Sequence, residues 1–173
     1  MDKYKDREYS IVLYNPFWAQ MFEAEAVKIK TVFSSDAVAI EHIGSTAVPG
    51  MSGKPAIDIL VLVNNFQVAE KHVHEMQNLG YEFLGQYVTQ NSLLFRVVKN
   101  NHLLTNIHIF PKDHPHVKEM IAIRDYLKTH PEEVEAYTYL KEKLNQEYPN
   151  SYGDYRKKKD EYMKKLMERA LKI

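Results

Sequence analysis

Glu41-His42-Ile43-Gly44-Ser45-Thr46-Ala47-Val48-Pro49-Gly50, continued by Lys54-Pro55-Ala56-Ile57-Asp58-Ile59, is the stretch that decides the fold. It reads as a strand, a turn rich in glycine and hydroxyls, a lysine, and a second strand that carries one acid. Gly44 permits close approach of backbone to a ligand. Ser45 and Thr46 offer donors to an anion, and Lys54 adds a point charge. Asp58 interrupts an otherwise apolar run, Ile57 to Val63. A carboxylate in such a strand must be paired, hydrated or placed on a metal, because an isolated buried charge is costly. The competing reading, equally weighted, is that Asp58 lies at the mouth of the strand and caps loop amides.

Outward from this stretch the periodicity alternates between strand and helix. Asn15-Pro16 is a helix start, and Phe17, Met21, Ala24, Val27, Ile29 and Val32 recur near helical spacing, which predicts an amphipathic helix over 16–34. Strands are expected over 37–43 and 56–63, and a brief extended segment over 10–14. Asn64-Asn65 is placed to cap a helix over 66–79 that stops at Gly80. Extended segments follow near 81–88, 93–98 and 103–110, with Asn100-Asn101 suited to a tight hairpin turn. Helices are then expected over 117–130, 131–148 and about 152–171, punctuated by Pro131 and Pro149. Strands cluster in the first two thirds and helices in the last third, an α+β layout and not regular βαβ alternation: a sheet-bearing core at about 10–112 and a helical segment at about 114–171, within one domain of 1–173.

Composition sets outer limits on function. The 173 residues carry 23 Lys+Arg against 23 Asp+Glu, so no basic excess advertises non-specific nucleic-acid binding. With no cysteine, thiolate nucleophiles, disulfides and Cys-based zinc sites are excluded. The longest largely apolar stretch, Ile57 to Val63, is a strand length and not a membrane span. The first six residues are polar and of mixed charge, without a signal-peptide core, so the expectation is a cytoplasmic protein.

The run Glu41 to Ile59 resembles the GrpB family, also called UPF0157. Tyr14, Pro16, Trp18 and Phe22 are similar to that family's opening motif. Arg124-Asp125-Tyr126-Leu127 with His130-Pro131-Glu132 resembles its later signature, and Leu140-Lys141 and the Tyr155, Lys159, Tyr162 spacing also fit. The resemblance implies a nucleotidyltransferase-like mixed sheet flanked by helices, of the polymerase-β type. It further implies a Gly-Ser turn that holds phosphates, Mg²⁺ or Mn²⁺ on paired acids, and a nucleotide or phosphorylated small molecule as guest. Some family members are fused to dephospho-coenzyme A kinase, an association that points toward coenzyme A metabolism. Asp58 takes the first acid position, but the second is Leu60, which supplies no oxygen to a cation that demands oxygen ligands.

Strand parity supplies candidates around Asp58. Leu104, Asn106, His108 and Phe110 share one strand face, and His108 is the candidate general base or metal ligand. Asn106 stands where the family often has a second histidine. Arg96, alone among apolar neighbours, is expected to converge with Asp58 and His108. Glu41 and His42 point oppositely, so one of them joins the site; His42 is favoured for anion contact and Glu41 is kept as a second carboxylate. Arg124 and Lys159 are phosphate candidates by the resemblance. The run Arg156 to Lys159 reads by itself as a solvated helix face. Two functions follow: metal-dependent nucleotidyl transfer from a nucleoside triphosphate to a small acceptor, or a binding module that keeps the pocket without the transfer.

Overall fold

A computed structural model describes residues 8–172; the polar lead at the N-terminus lies outside the described residues. Helix α1 (Phe17–Phe33) opens at Asn15, whose Oδ1 accepts the Phe17 amide at 3.0 Å. The chain then runs through β1 (Ala37–Ile43), β2 (Ile57–Val63), α2 (Phe66–Lys71), α3 (Val73–Asn78), β3 (Glu82–Phe83), β4 (Leu93–Lys99) and β5 (His102–Pro111). Three helices complete it: α4 (Pro115–Thr129), α5 (Pro131–Glu147) and α6 (Tyr152–Ala170). The sheet order is β1-β2-β5-β4-β3, with β2 and β5 parallel and the other neighbours antiparallel.

The elements form where residue chemistry asks for them. Asn100 and Asn101 both take positive φ, 51° and 63°, which is the tight turn that joins β4 to β5. Asn65 caps α2 by accepting the Val68 amide. Val12, in the expected N-terminal extended segment, bridges Gly53 through backbone bonds of 2.9 and 3.0 Å. Among the described residues, no helix is long and apolar enough to cross a membrane.

Two expectations are corrected. The helix over 66–79 is broken at His72, whose ring turns inward between Asp36 Oδ2 (2.8 Å) and Glu75 Oε2 (2.7 Å) and packs on Phe33. The extended segment at 81–88 shrinks to Glu82–Phe83, because the chain turns at Gly85 and residues 86–92 leave the sheet.

The sheet has two unlike faces. Alternate residues Ile57, Ile59, Val61 and Val63 of β2, with Ile107 and Ile109 of β5, pack under α1, α2 and α3 around Trp18, Ile29, Phe33 and Met76. On the opposite face Leu60, Leu62 and Phe110 meet Val117 of α4. Beyond them α4, α5 and α6 build their own core from Leu127, Tyr137 and Leu166 against Val48 and Met51 of the turn after β1. That turn is thereby clamped between sheet and helices, and a cleft is left where they diverge.

Candidate functional site

The cleft is a cavity of about 310 Å³, at the lower end of the usual range for small-molecule sites. Its floor is the second sheet face: Asp58, Asn106, His108 and Leu94. Its wall is helical, with Arg124 on α4, Lys141 on α5 and Arg156 and Lys159 on α6, while Gly44, Ser45 and Lys54 close the end. Three lysines and two arginines thus face one carboxylate.

Register explains the floor. Asp58 pairs with Asn106 across the parallel β2–β5 ladder, so both side chains leave on the same face. Asn106 Nδ2 donates to Asp58 Oδ1 at 2.8 Å, and His108 Nε2 stands 3.9 Å from the same oxygen. The Asp58 side chain keeps 30% of its surface exposed, so it opens to the cavity and is not sealed among aliphatics. Burial pushes its carboxyl upward, but His108, Asn106 and Lys54 outweigh that and hold it below the ordinary carboxylate value. His108 Nδ1 is buried with no hydrogen-bond partner among the described residues.

The turn is fixed by two glycines. Gly44 has φ +73°, and a Cβ there would stand 2.6 Å from Asp58 Oδ2. A Cβ on Gly53 would stand 2.8 Å from Ser45 Cβ. Both positions therefore exclude side chains so that Asp58 and Ser45 sit where they do. Lys141 Nζ donates to Ser45 Oγ at 2.9 Å and to the Ser52 carbonyl, and lies 4.5 Å over the Tyr137 ring. Burial, then the charges of Lys159 and Lys54, lower its ammonium to about 7. Lys54 Nζ donates to the Tyr152 hydroxyl at 2.6 Å, and burial lowers Lys159 as well.

Of the sequence candidates, Asp58, His108, Gly44, Ser45, Lys54, Arg124 and Lys159 line the cavity. Four others do not. His42 is opposite Ile59 on the first sheet face, where its ring stacks on Phe22 at 4.7 Å and its Nε2 meets Thr46 Oγ1 at 2.9 Å. Burial drops it to about 4, and Thr46 is buried beneath it, so neither contacts a guest in the cavity. Arg96 does share the face of Asn106, but the facing Glu82 takes its guanidinium through bonds of 2.7 and 3.0 Å. Glu41 does lie on the Asp58 face, as the register Ile43↔Asp58 and Glu41↔Leu60 requires, yet its carboxylate accepts Arg124 Nη1 at 2.6 Å. Arg124 also holds Asp125 at 2.7 Å and the His42 carbonyl at 3.2 Å, so it ties α4 to β1 as well as bordering the cavity.

The sequence reading missed Lys141 and Arg156, and it placed Asn106 on the His108 face without giving it a role. Lys159 turns inward with Tyr152, Tyr155 and Met163, one helical face, and Arg156 borders the cavity at its rim, which corrects the reading of that run as wholly solvated. A metal set is not assembled here. The floor offers one carboxylate, an amide that presents its N–H to that carboxylate, and an imidazole; Leu60 is fully buried in the apolar layer. Among the described residues no group of three or more His, Asp or Glu side chains converges. The donor set does not fit a two-metal centre, which needs bridging carboxylates.

The sheet with its flanking helices defines a nucleotidyltransferase-like fold: the chain is similar to the Cid1 poly(U) polymerase structure with a TM-score of 0.53, at 12% identity, over 80% of this chain and 42% of that one. That likeness is of fold. The chain belongs to the GrpB family, whose model, described as GrpB protein, matches residues 8–169. The crystal structure of GrpB from Enterococcus faecalis is 32% identical, with a TM-score of 0.89 over 94% of this chain and 98% of that one. UPF0157 protein YqkA of Bacillus subtilis is 33% identical over 96% of this chain, which spans 48% of YqkA, about half its length. UPF0157 protein BH1888 of Halalkalibacterium halodurans is 31% identical over 93% of this chain and 82% of its own length.

Proposed function

We propose that this chain binds a small phosphorylated anion, a nucleotide or a phosphorylated metabolite, in a nucleotidyltransferase-like cleft that lacks the paired acids of metal-dependent transfer. The observation that carries the reading is the charge of the cavity lining: Lys54, Lys141, Lys159, Arg124 and Arg156 against Asp58, the one carboxylate among the lining residues, although Glu41 and Asp125 pair with Arg124 and Asp160 lies beside Arg156 and Lys159. A walled site of low dielectric focuses such a field on an anion. Ser45, on its glycine-flanked turn, adds a hydroxyl at the lysine end, and Tyr87, Val88, Met120 and Ile123 supply apolar surface for the rest of the guest.

Replacing Asp58 by Asn tests the reading against metal-dependent transfer. If anions bind directly to the cations, removing the carboxylate that lines the cavity tightens AMP and ATP several-fold with chelator present, read as a larger thermal shift or lower Kd. If an aspartate-held Mg²⁺ or Mn²⁺ mediates binding, D58N abolishes a metal-dependent shift. Pyrophosphate release from a nucleoside triphosphate by the wild type would establish transfer and overturn the binding-only reading.

A further inference from the structure

The cations of the cavity are unequal, and the inequality bears on the charge of the guest. Arg124 is already engaged by Glu41 and Asp125. Arg156 lies at the rim, 44% exposed, with Asp160 3.7 Å away. Lys54 and Lys159 line the interior, where the Asp58 carboxylate acts on both, and Asp160 stands 3.8 Å from Lys159 Nζ. Lys141 is deepest, 2% exposed, on the apolar stripe of α5 that also holds Tyr137 and Leu144. Its bonds to Ser45 Oγ and the Ser52 carbonyl can be made by an ammonium or an amine alike, while its place over the Tyr137 ring favours the ammonium.

What opposes the charged form is the surroundings. Burial comes first, then Lys159 from α6 and Lys54 from the turn; Glu142, next along α5, favours the charge but ranks behind both lysines. Without a guest, therefore, the innermost lysine is only part-charged near neutral pH. An anion set among Lys54, Lys141 and Lys159 reverses the local field and favours the ammonium, and a doubly charged one does so twice as strongly as a singly charged one.

We infer that the cavity selects a dianionic phosphomonoester terminus over a monoanionic phosphodiester, and that the dianion enters together with one proton captured by Lys141. This rests on the anion-binding reading above. The proton makes binding pH-dependent with a fixed sign. Above about pH 7 the unliganded lysine must be charged by the guest, so affinity falls about tenfold for each unit of rising pH until the liganded lysine itself titrates. Below that pH the lysine is charged beforehand and contributes no slope.

Isothermal titration calorimetry of the full chain, with AMP and cyclic AMP as probes, tests this. Both carry the same base and sugar, but at pH 8 AMP is a dianion and cyclic AMP a monoanion, since a phosphomonoester's second pKa is about 6. Titrations at pH 8 in buffers of different ionisation enthalpy count the protons. The expected result is AMP at least tenfold tighter than cyclic AMP, uptake close to one proton, and a tenfold loss of AMP affinity between pH 7.5 and 8.5. Lys141→Met removes the uptake and the slope, while Lys159→Met, which takes away one of the charges that oppose the Lys141 ammonium, weakens binding, lowers the uptake at pH 8 and moves the onset of the slope to higher pH. Equal affinities for the two probes, AMP binding at pH 8 without proton uptake, or uptake that survives K141M would each overturn the inference. The wild-type titrations decide the question even should a variant misfold. Absence of binding by AMP and pyrophosphate at every pH would sink the anion-binding reading itself, a separate outcome.

Discussion

Lys141→Met should stabilise this protein near neutral pH and destabilise it in alkali. A lysine held at about 7 in the fold against 10.5 when solvated carries a cost of about 4 kcal/mol at pH 7. The sign follows from proton binding: between pH 7 and 10.5 the unfolded chain holds the proton and the folded chain does not, so native stability rises with pH across that window. Below pH 7 the cost is complete; above 10.5 it has vanished. Methionine fills a similar volume and escapes the cost. It also strips Ser45 Oγ and the Ser52 carbonyl of their donor, a loss of about 1–3 kcal/mol. The net gain at pH 6–7 is then about 2 kcal/mol, or about 4–8 °C in Tm for a chain of this size. At pH 10 the linkage advantage is down to about 1 kcal/mol, so K141M becomes equal to the wild type or less stable. Urea unfolding of both proteins at unit steps from pH 6 to 10 reads this directly. A stability difference that does not change with pH would refute the claim that burial and the neighbouring lysines discharge Lys141.

Gly44→Ala should cost more than about 2 kcal/mol, since it combines a positive φ with a Cβ 2.6 Å from Asp58 Oδ2; adding Asp58→Ala should recover the part due to the clash, measured by urea midpoint. His42, lowered to about 4 by burial, makes the fold lose about 3 kcal/mol as pH falls from 6.5 to 4, because the unfolded chain binds that proton first. His42→Phe, which can keep the stack on Phe22, should flatten that acid limb. Arg124→Met leaves Glu41 and Asp125 without their shared cation and should cost about 1–2 kcal/mol, more than Glu41→Gln, in the same unfolding assay.

Local chemistry was legible in the chain where one residue type has one use. Asn100-Asn101 signalled its turn because asparagine tolerates positive φ, and both residues adopt it. The alternation in β5 correctly placed Asn106 and His108 on one face, and Asp58 joined them because a parallel ladder pairs residues directly. Parity could not choose between Glu41 and His42, since alternation fixes which residues share a face but not which face looks at the cleft. That choice needed the register Ile43↔Asp58, a contact between separate segments. Arg96 failed for a related reason: its face was right, but the partner that takes its charge, Glu82, belongs to a strand only two residues long.

Lys141 of α5 and Arg156 of α6 were missed for a different cause. Tyr137, Lys141 and Leu144 recur at helical spacing on the buried side of α5, as Tyr152, Arg156, Lys159 and Met163 do on the cleft side of α6. A lysine inside an apolar stripe is the signal, because burying it is costly unless something on the facing surface compensates. Here the partial compensation is Ser45 and the Ser52 carbonyl, and the remainder is a lysine that holds its proton weakly. The sheet that would carry metal carboxylates has Leu60 in one of the two acid positions, whereas the helices opposite present four cationic side chains to the cleft. Under the anion-binding proposal recognition falls to the helical wall, and the strand acid, usually read as the functional centre of such a sheet, would set the strength of the field the helices create.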